Sequence, residues 1–113
     1  MRIHKYHAQR TEIDGIRFDS RAEAERWQEL REMEAAGEIK ALIRQETFPL
    51  IPAFKKNGKT YRGITYRADF GYIDKNGRRV VEDVKGYRTK EYLLKKKLFE
   101  YMYPDLTIVE VIK

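Results

Sequence analysis

The stretch "YRADFGYIDKNGRRVVEDVKG", residues 66 to 86, constrains the fold more than any other part of the chain. Two segments of alternating apolar and polar residues flank Asp74-Lys75-Asn76-Gly77, a tetrapeptide of turn formers, and this pattern predicts an antiparallel strand pair. A second such tetrapeptide, "KKNG" at 55 to 58, separates "LIRQETFPLIPAF" from "KTYRGITYRADFGYI". Together the two turns fold three strands into an antiparallel meander. Pro49 and Pro52 lack the amide hydrogen that a central strand must donate, so their strand lies at an edge or is bulged.

The flanks supply helices. In "TEIDGIRF" the Asp14-Gly15 pair predicts a tight hairpin whose turn needs positive φ at both central positions. A helix follows from Ser20 to about Ala36, ended by Gly37, with Trp27, Leu30 and Met33 or Glu34 on its apolar stripe. A second helix is expected over Thr89 to Tyr103, stopped before Pro104, with Leu94, Leu98 and Tyr101 facing inward. "LTIVEVI", residues 106 to 112, closes the chain as a strand. The expected class is a mixed α/β chain of the α+β kind, ordered helix, meander, helix, strand. Residues 1–12 read as a basic flexible arm and residues 13–113 as one domain.

Composition narrows the partners. Lys and Arg outnumber Asp and Glu by 24 to 18, a formal charge of +6, which favours a polyanion such as nucleic acid. The absence of cysteine excludes disulfides and thiolate metal sites and suits a cytoplasmic setting. No apolar run approaches a membrane span, and the first residues lack a signal-peptide core. His4 and His7 form an HxxH pair in the arm, with no further ligand near in sequence.

The valine run at 80 to 84 is interrupted by charge. Side chains alternate along a strand, so Val81, Asp83 and Lys85 share one face while Val80, Glu82 and Val84 share the other. If "DKNG" closes the hairpin, Asp69 on the preceding strand falls opposite Glu82 or Asp83. Two adjacent carboxylates repel unless a cation lies between them. Oxygen donors without Cys or a converging His favour Mg²⁺ or Mn²⁺ over zinc. Such an ion, with the Lys85 ammonium beside it, suits phosphodiester hydrolysis. The residues alone leave a second reading open, in which Asp83 and Lys85 are a surface ion pair and Asp69 a partner of some arginine.

Asp69 followed by Asp83, Val84 and Lys85 resembles the signature of the PD-(D/E)XK nuclease superfamily, with Ala68 where the motif has proline. "DGIRFDSRAEAERW", the central stretch quoted above and "KEYLLKKKLFEYMYP" resemble a family of short phage proteins of unknown function, DUF1064, over nearly the whole chain. A more distant likeness is to phage endonuclease I, a Holliday-junction resolvase. These resemblances imply a restriction-endonuclease-like core and an Mg²⁺- or Mn²⁺-dependent endonuclease. They assign Glu23, Asp69, Asp83 and Lys85 to catalysis, with metal held by Glu23, Asp69, Asp83 and the backbone carbonyl of Val84. Ser20 and Glu23 also form a helix capping box, a role that competes with the catalytic one. Gln45, at the start of the edge strand, resembles a polar residue found near the metal in some members, and is equally an ordinary strand residue. Glu82 is a lesser candidate ligand, because the two-residue spacing to Lys85 selects Asp83.

Lys90, Lys95, Lys96 and Lys97 on the second helix, with Arg62, Arg67 and Arg88, are the expected DNA contacts, and a solvated basic face is their alternative role. Phosphate contacts fix position without reading sequence. The implied function is an endonuclease of a phage or prophage acting on branched DNA (a Holliday junction, flap or fork) in replication or recombination, as a homodimer in the host cytoplasm, with no small-molecule cofactor. A non-enzymatic DNA-binding protein on the same fold is the alternative.

Overall fold

The computed structural model describes residues 10–113. His4 and His7 lie outside the described residues, as does all of the expected arm but its end. Asp14 and Gly15 both take positive φ, 52° and 80°, and close strand β1 (Thr11–Ile13) onto β2 (Ile16–Phe18) as the dipeptide predicts. Thr11 and Glu12, assigned to the arm, thus belong to this hairpin.

Helix α1 spans Arg21–Ala35. Ser20 caps it: the extended backbone turns the hydroxyl toward the Glu23 amide, which donates to it at 3.1 Å. Gly37, at φ 78°, lets the chain leave the helix in a left-handed step. Ala24 and Leu30 are buried, Trp27 and Met33 pack beside them, and Glu34 is turned outward to accept the Leu42 amide.

The meander forms, and each of its first two strands is broken into pieces. The outgoing strand comprises β3 (Lys40–Arg44), β4 (Thr47–Ile51) and β5 (Phe54–Lys56), and the returning strand comprises β6 (Lys59–Tyr61), β7 (Ile64–Arg67) and β8 (Phe70–Ile73). They pair antiparallel as β5 with β6, β4 with β7 and β3 with β8. Strand β9 (Arg79–Lys85) returns beside β8 through the Asp74–Gly77 turn, where Asp74 Oδ1 accepts the amides of Asn76 and Arg78. Pro49 lies in β4, which pairs on one side only, and the register shifts between Pro49 and Ile51.

Helix α2 (Lys90–Met102), capped by Thr89, carries the chain across to β10 (Ile108–Ile112), which lies parallel to β9. The principal sheet is therefore ordered β10-β9-β8-β3. Two cores lie on its opposite faces. Under α1 are Phe18, Ala24, Leu30, Ile39, Phe70 and Tyr72. Under α2 are Phe48, Leu50, Tyr66, Val81 and Ile108 around Phe99. Phe99 is fully buried, edge-on to Phe48 at 5.0 Å and to Tyr66 at 5.3 Å. Such aromatic pairs add about 0.5–1.5 kcal/mol each beyond burial.

The inward stripe of α2 differs from the expected one. Leu94 and Tyr101 are 57% and 82% exposed, while Tyr92 and Phe99 are buried and Leu98 packs beside them. The face that carries Phe99 is the one turned inward, and its polar members also find partners: the Tyr92 hydroxyl donates to Glu110 at 2.7 Å, and Lys96 lies 3.4 Å from the same carboxylate. Tyr92, Lys96, Phe99 and Tyr103 still obey helical spacing. Hydrophobic periodicity could not rank this stripe above its neighbour, because three of its four members are a lysine and two hydroxyl-bearing rings.

Candidate active site

The site forms where the meander breaks. β3 ends at Arg44 and β4 begins at Thr47, while β7 ends at Arg67 and β8 begins at Phe70. Two backbone bonds bridge the gap, Gln45 N–H to the Asp69 carbonyl and Ala68 N–H to the Glu46 carbonyl, both at 2.9 Å. Gln45 sits at φ 53°. Across the break the residues that point inward change: Tyr66 and Ala68 belong to the α2 core, whereas Phe70 and Tyr72 belong to the α1 core. Asp69 lies at the crossover. Gln45, expected to begin the edge strand, instead forms the break, and its amide holds the Asp69 carbonyl.

The β8–β9 register, with Phe70 opposite Glu82, continues to set Asp69 opposite Asp83. Asp83 is 4% exposed. Its Oδ1 lies 3.0 Å from Lys85 Nζ, and its Oδ2 accepts the Tyr66 hydroxyl. Lys85 Nζ also stands 3.8 Å from the centre of the Tyr92 ring, so an aromatic face and an acid together hold the ammonium. Asp69 Oδ2 accepts the Val84 amide at 2.8 Å. The ion pair of the alternative reading exists, with Asp83 buried and Lys85 half-buried on the cavity wall.

Glu23 completes the cluster from α1. Its carboxyl hydrogen-bonds Asp69, while Ser20 Oγ approaches Glu23 Oε2 at 3.3 Å. One residue thus serves both the helix cap and the acid cluster. Burial, then the charges of Asp83 and Glu23, push Asp69 up to about 9, against the pull of the Val84 amide. Burial likewise raises Glu23, opposed by its hydrogen bond to Asp69. Burial and then Asp83 raise the Tyr66 hydroxyl, which stays a donor. At neutral pH Asp69 therefore keeps a proton that a carboxylic acid in water would have lost.

These groups open onto a cavity of about 490 Å³, lined among others by Gln45, Arg67, Asp69, Asp83, Lys85 and Lys95. Among the described residues, no group of three or more His, Cys, Asp or Glu side chains converges as a metal-holding set in this arrangement. The donor chemistry nevertheless fits a hard divalent cation: Asp83 and Glu23 both lie close enough to Asp69 to raise it, and a cation could replace the proton that Asp69 keeps. Glu23, Asp69 and Asp83 are the side chains that could hold it. Val84, whose carbonyl was implicated, turns its amide to Asp69.

Other expected residues go elsewhere. Glu82 is on the α1 face, 1% exposed, where Arg26 grips it through Nε at 2.9 Å and Nη2 at 2.7 Å and Tyr72 donates its hydroxyl. It is not a ligand of this cluster, because strand alternation sends it through the sheet. Arg88 and Lys96 are tied to Glu110, whereas Lys90, Lys97 and Arg62 are exposed away from such pairing. Lys95 lines the cavity and pairs with Glu91 at 3.3 Å. Sequence reasoning missed the roles of Tyr66 and Tyr92; strand alternation would have placed Tyr66 facing α2, but nothing local marks its reach to Asp83.

Fold and site define an α+β domain with a buried acid-and-lysine cluster at a sheet break. The chain belongs to the family described as "Protein of unknown function (DUF1064)", whose model matches residues 3–113. No curated protein and no solved structure matches it. No helix among the described residues is long and apolar enough to cross a membrane.

Proposed function

We propose that this protein is a metal-dependent endonuclease that hydrolyses phosphodiester bonds in DNA. The observation that carries this reading is the grouping of Asp69, Asp83 and Lys85 in one cavity, with Glu23 bonded to Asp69 and cationic Arg67 and Lys95 on the same walls. A structural Asp83–Lys85 ion pair requires neither Asp69 beside it nor an acid from α1.

In the reaction, water adds to phosphorus, the bond to the leaving oxygen breaks, and that oxygen takes up a proton. Bound Mg²⁺ or Mn²⁺ would supply charge neutralisation and a more acidic water. Asp69 and Asp83 hold the acidic side of the site, Asp69 fixed by the Val84 amide and Asp83 by Tyr66. Lys85 is set to donate to a phosphate oxygen as charge develops there. Arg67 and Lys95 are placed to receive flanking phosphates. The resemblance to phage endonuclease I extends the proposal to branched DNA, cut by a homodimer during phage replication or recombination in the bacterial cytoplasm, since paired cuts need two copies of one site.

A second reading is a DNA-binding protein whose acids are structural. It is favoured by the saturation of Asp83, both of whose oxygens already have protein partners. Labelled four-way junction, flap and linear duplex, incubated with protein in Mg²⁺, Mn²⁺ or EDTA, separate the two. Cutting in either metal and none in EDTA is the expected result. Binding without cutting in every condition would replace the nuclease by the second reading.

A further inference from the structure

The stretch from Thr47 to Ala68 contains Lys55, Lys56, Lys59, Arg62 and Arg67 and no acid. The remainder of the chain holds 19 Lys and Arg against 18 Asp and Glu, so this segment carries nearly all of the +6. Every residue from Pro52 to Thr65 is exposed. The β5–β6 hairpin therefore projects from the body and contributes nothing to either core.

Its construction is specific. Asn57 and Gly58, at φ 53° and 73°, close the tip, and Phe54 stacks on its cross-strand partner Tyr61 at 4.8 Å and 10°. At the neck, a side chain on Gly63 would meet the Ile51 carbonyl at 2.9 Å, so only glycine lets the strands approach so closely there. Lys56 and Lys59 are directly paired across the ladder. Like charges so placed destabilise a hairpin. Among the described residues, no ion pair engages Lys55, Lys56, Lys59 or Arg62. The stacked stem thus carries Lys56 and Lys59 on one face of a solvent-facing tip and Lys55 on the other; Lys59 lies 5.3 Å from the Tyr61 ring, and no carboxylate among the described residues neutralises them.

We propose that this hairpin is a second nucleic-acid contact, gripping the phosphate backbone about 20 Å from the acidic cavity. The distance follows from Thr65, which lines the cavity, and Lys59, six residues along the extended chain. It corresponds to about 6 base pairs of duplex. The inference rests on the reading that the cavity acts on DNA and adds a bipartite binding surface to it. The lysines read phosphate charge and not base sequence.

The test measures binding of a fluorescent duplex in EDTA across a salt series, for the intact protein and for Lys55→Gln/Lys56→Gln/Lys59→Gln. Loss of three phosphate contacts should flatten the log-log salt dependence by about 2.7, so that between about 50 and 200 mM salt the intact protein loses about 40-fold more affinity than the variant. An unchanged slope overturns the proposal. So does an intact protein that binds phosphatidylserine vesicles and no duplex, or that binds neither. Cleavage in Mg²⁺ or Mn²⁺ is scored separately. Cutting with an unchanged slope removes the hairpin contact alone, whereas a flattened slope with no cutting removes the nuclease and leaves the contact standing.

Discussion

Asp83→Asn is expected to lower metal-dependent DNA cleavage by about 10³-fold while leaving the protein folded. The two consequences have different origins. Asparagine keeps an oxygen for the Tyr66 hydroxyl, so the buried contact on that side survives. It removes the negative charge that, after burial itself, does most to raise Asp69. The fold therefore loses a repulsion while the site loses a ligand and the partner of Lys85. Urea unfolding and single-turnover cleavage, measured on the same preparation, read the two effects apart. Unchanged cleavage in the folded variant would remove Asp83 from the chemistry.

Arg26→Met should have the opposite profile, a large loss of stability without direct contact with the cavity. Glu82 is 1% exposed and Arg26 supplies both of its charge-assisted bonds. Removing the guanidinium leaves a buried charge with only the Tyr72 hydroxyl, which costs about 3–5 kcal/mol. The double variant Arg26→Met/Glu82→Gln removes the charge and keeps an acceptor for Tyr72, so most of the loss should be recovered. Denaturant titration of the three proteins decides the matter. A single substitution costing under about 1 kcal/mol, as exposed pairs do, would show that the pair does not hold α1 to the sheet.

How far the sequence carries these conclusions depends on the range of the interaction. The Asp14-Gly15, Asn57-Gly58 and Asp74–Gly77 turns are local chemistry, and each forms as its residues require. The same is true of the Ser20 and Thr89 caps. The last turn places Asp69 opposite Glu82 or Asp83, and the observed register selects Asp83. The left-handed step at Gln45 was not legible, since glutamine carries no preference for positive φ. That step lies opposite Asp69, whose carbonyl the Gln45 amide holds at the crossover between two cores. Nor did any local signal tie Glu82 to Arg26, which is 56 residues away in the chain. Periodicity misjudged α2 because the partners of its inward face are distant in sequence, Phe48 and Tyr66 for Phe99 and Glu110 for Tyr92 and Lys96.

Without a divalent cation, Asp69 makes stability fall as pH rises. Its carboxyl keeps a proton in the fold to about 9 but has a reference value of 3.8, so the contribution is complete below 3.8 and is lost progressively through about 9. A cation in the cluster must displace that proton, and its apparent affinity should rise about tenfold per pH unit over the same window. Calorimetric titration with Mn²⁺ at several pH values, in buffers of differing ionisation enthalpy and beside Asp69→Asn, measures this directly. Binding with release of about one proton at pH 7, abolished in the variant, is the predicted result. No binding by the intact protein, or binding that Asp69→Asn leaves unchanged, would contradict a metal site built from Glu23, Asp69 and Asp83.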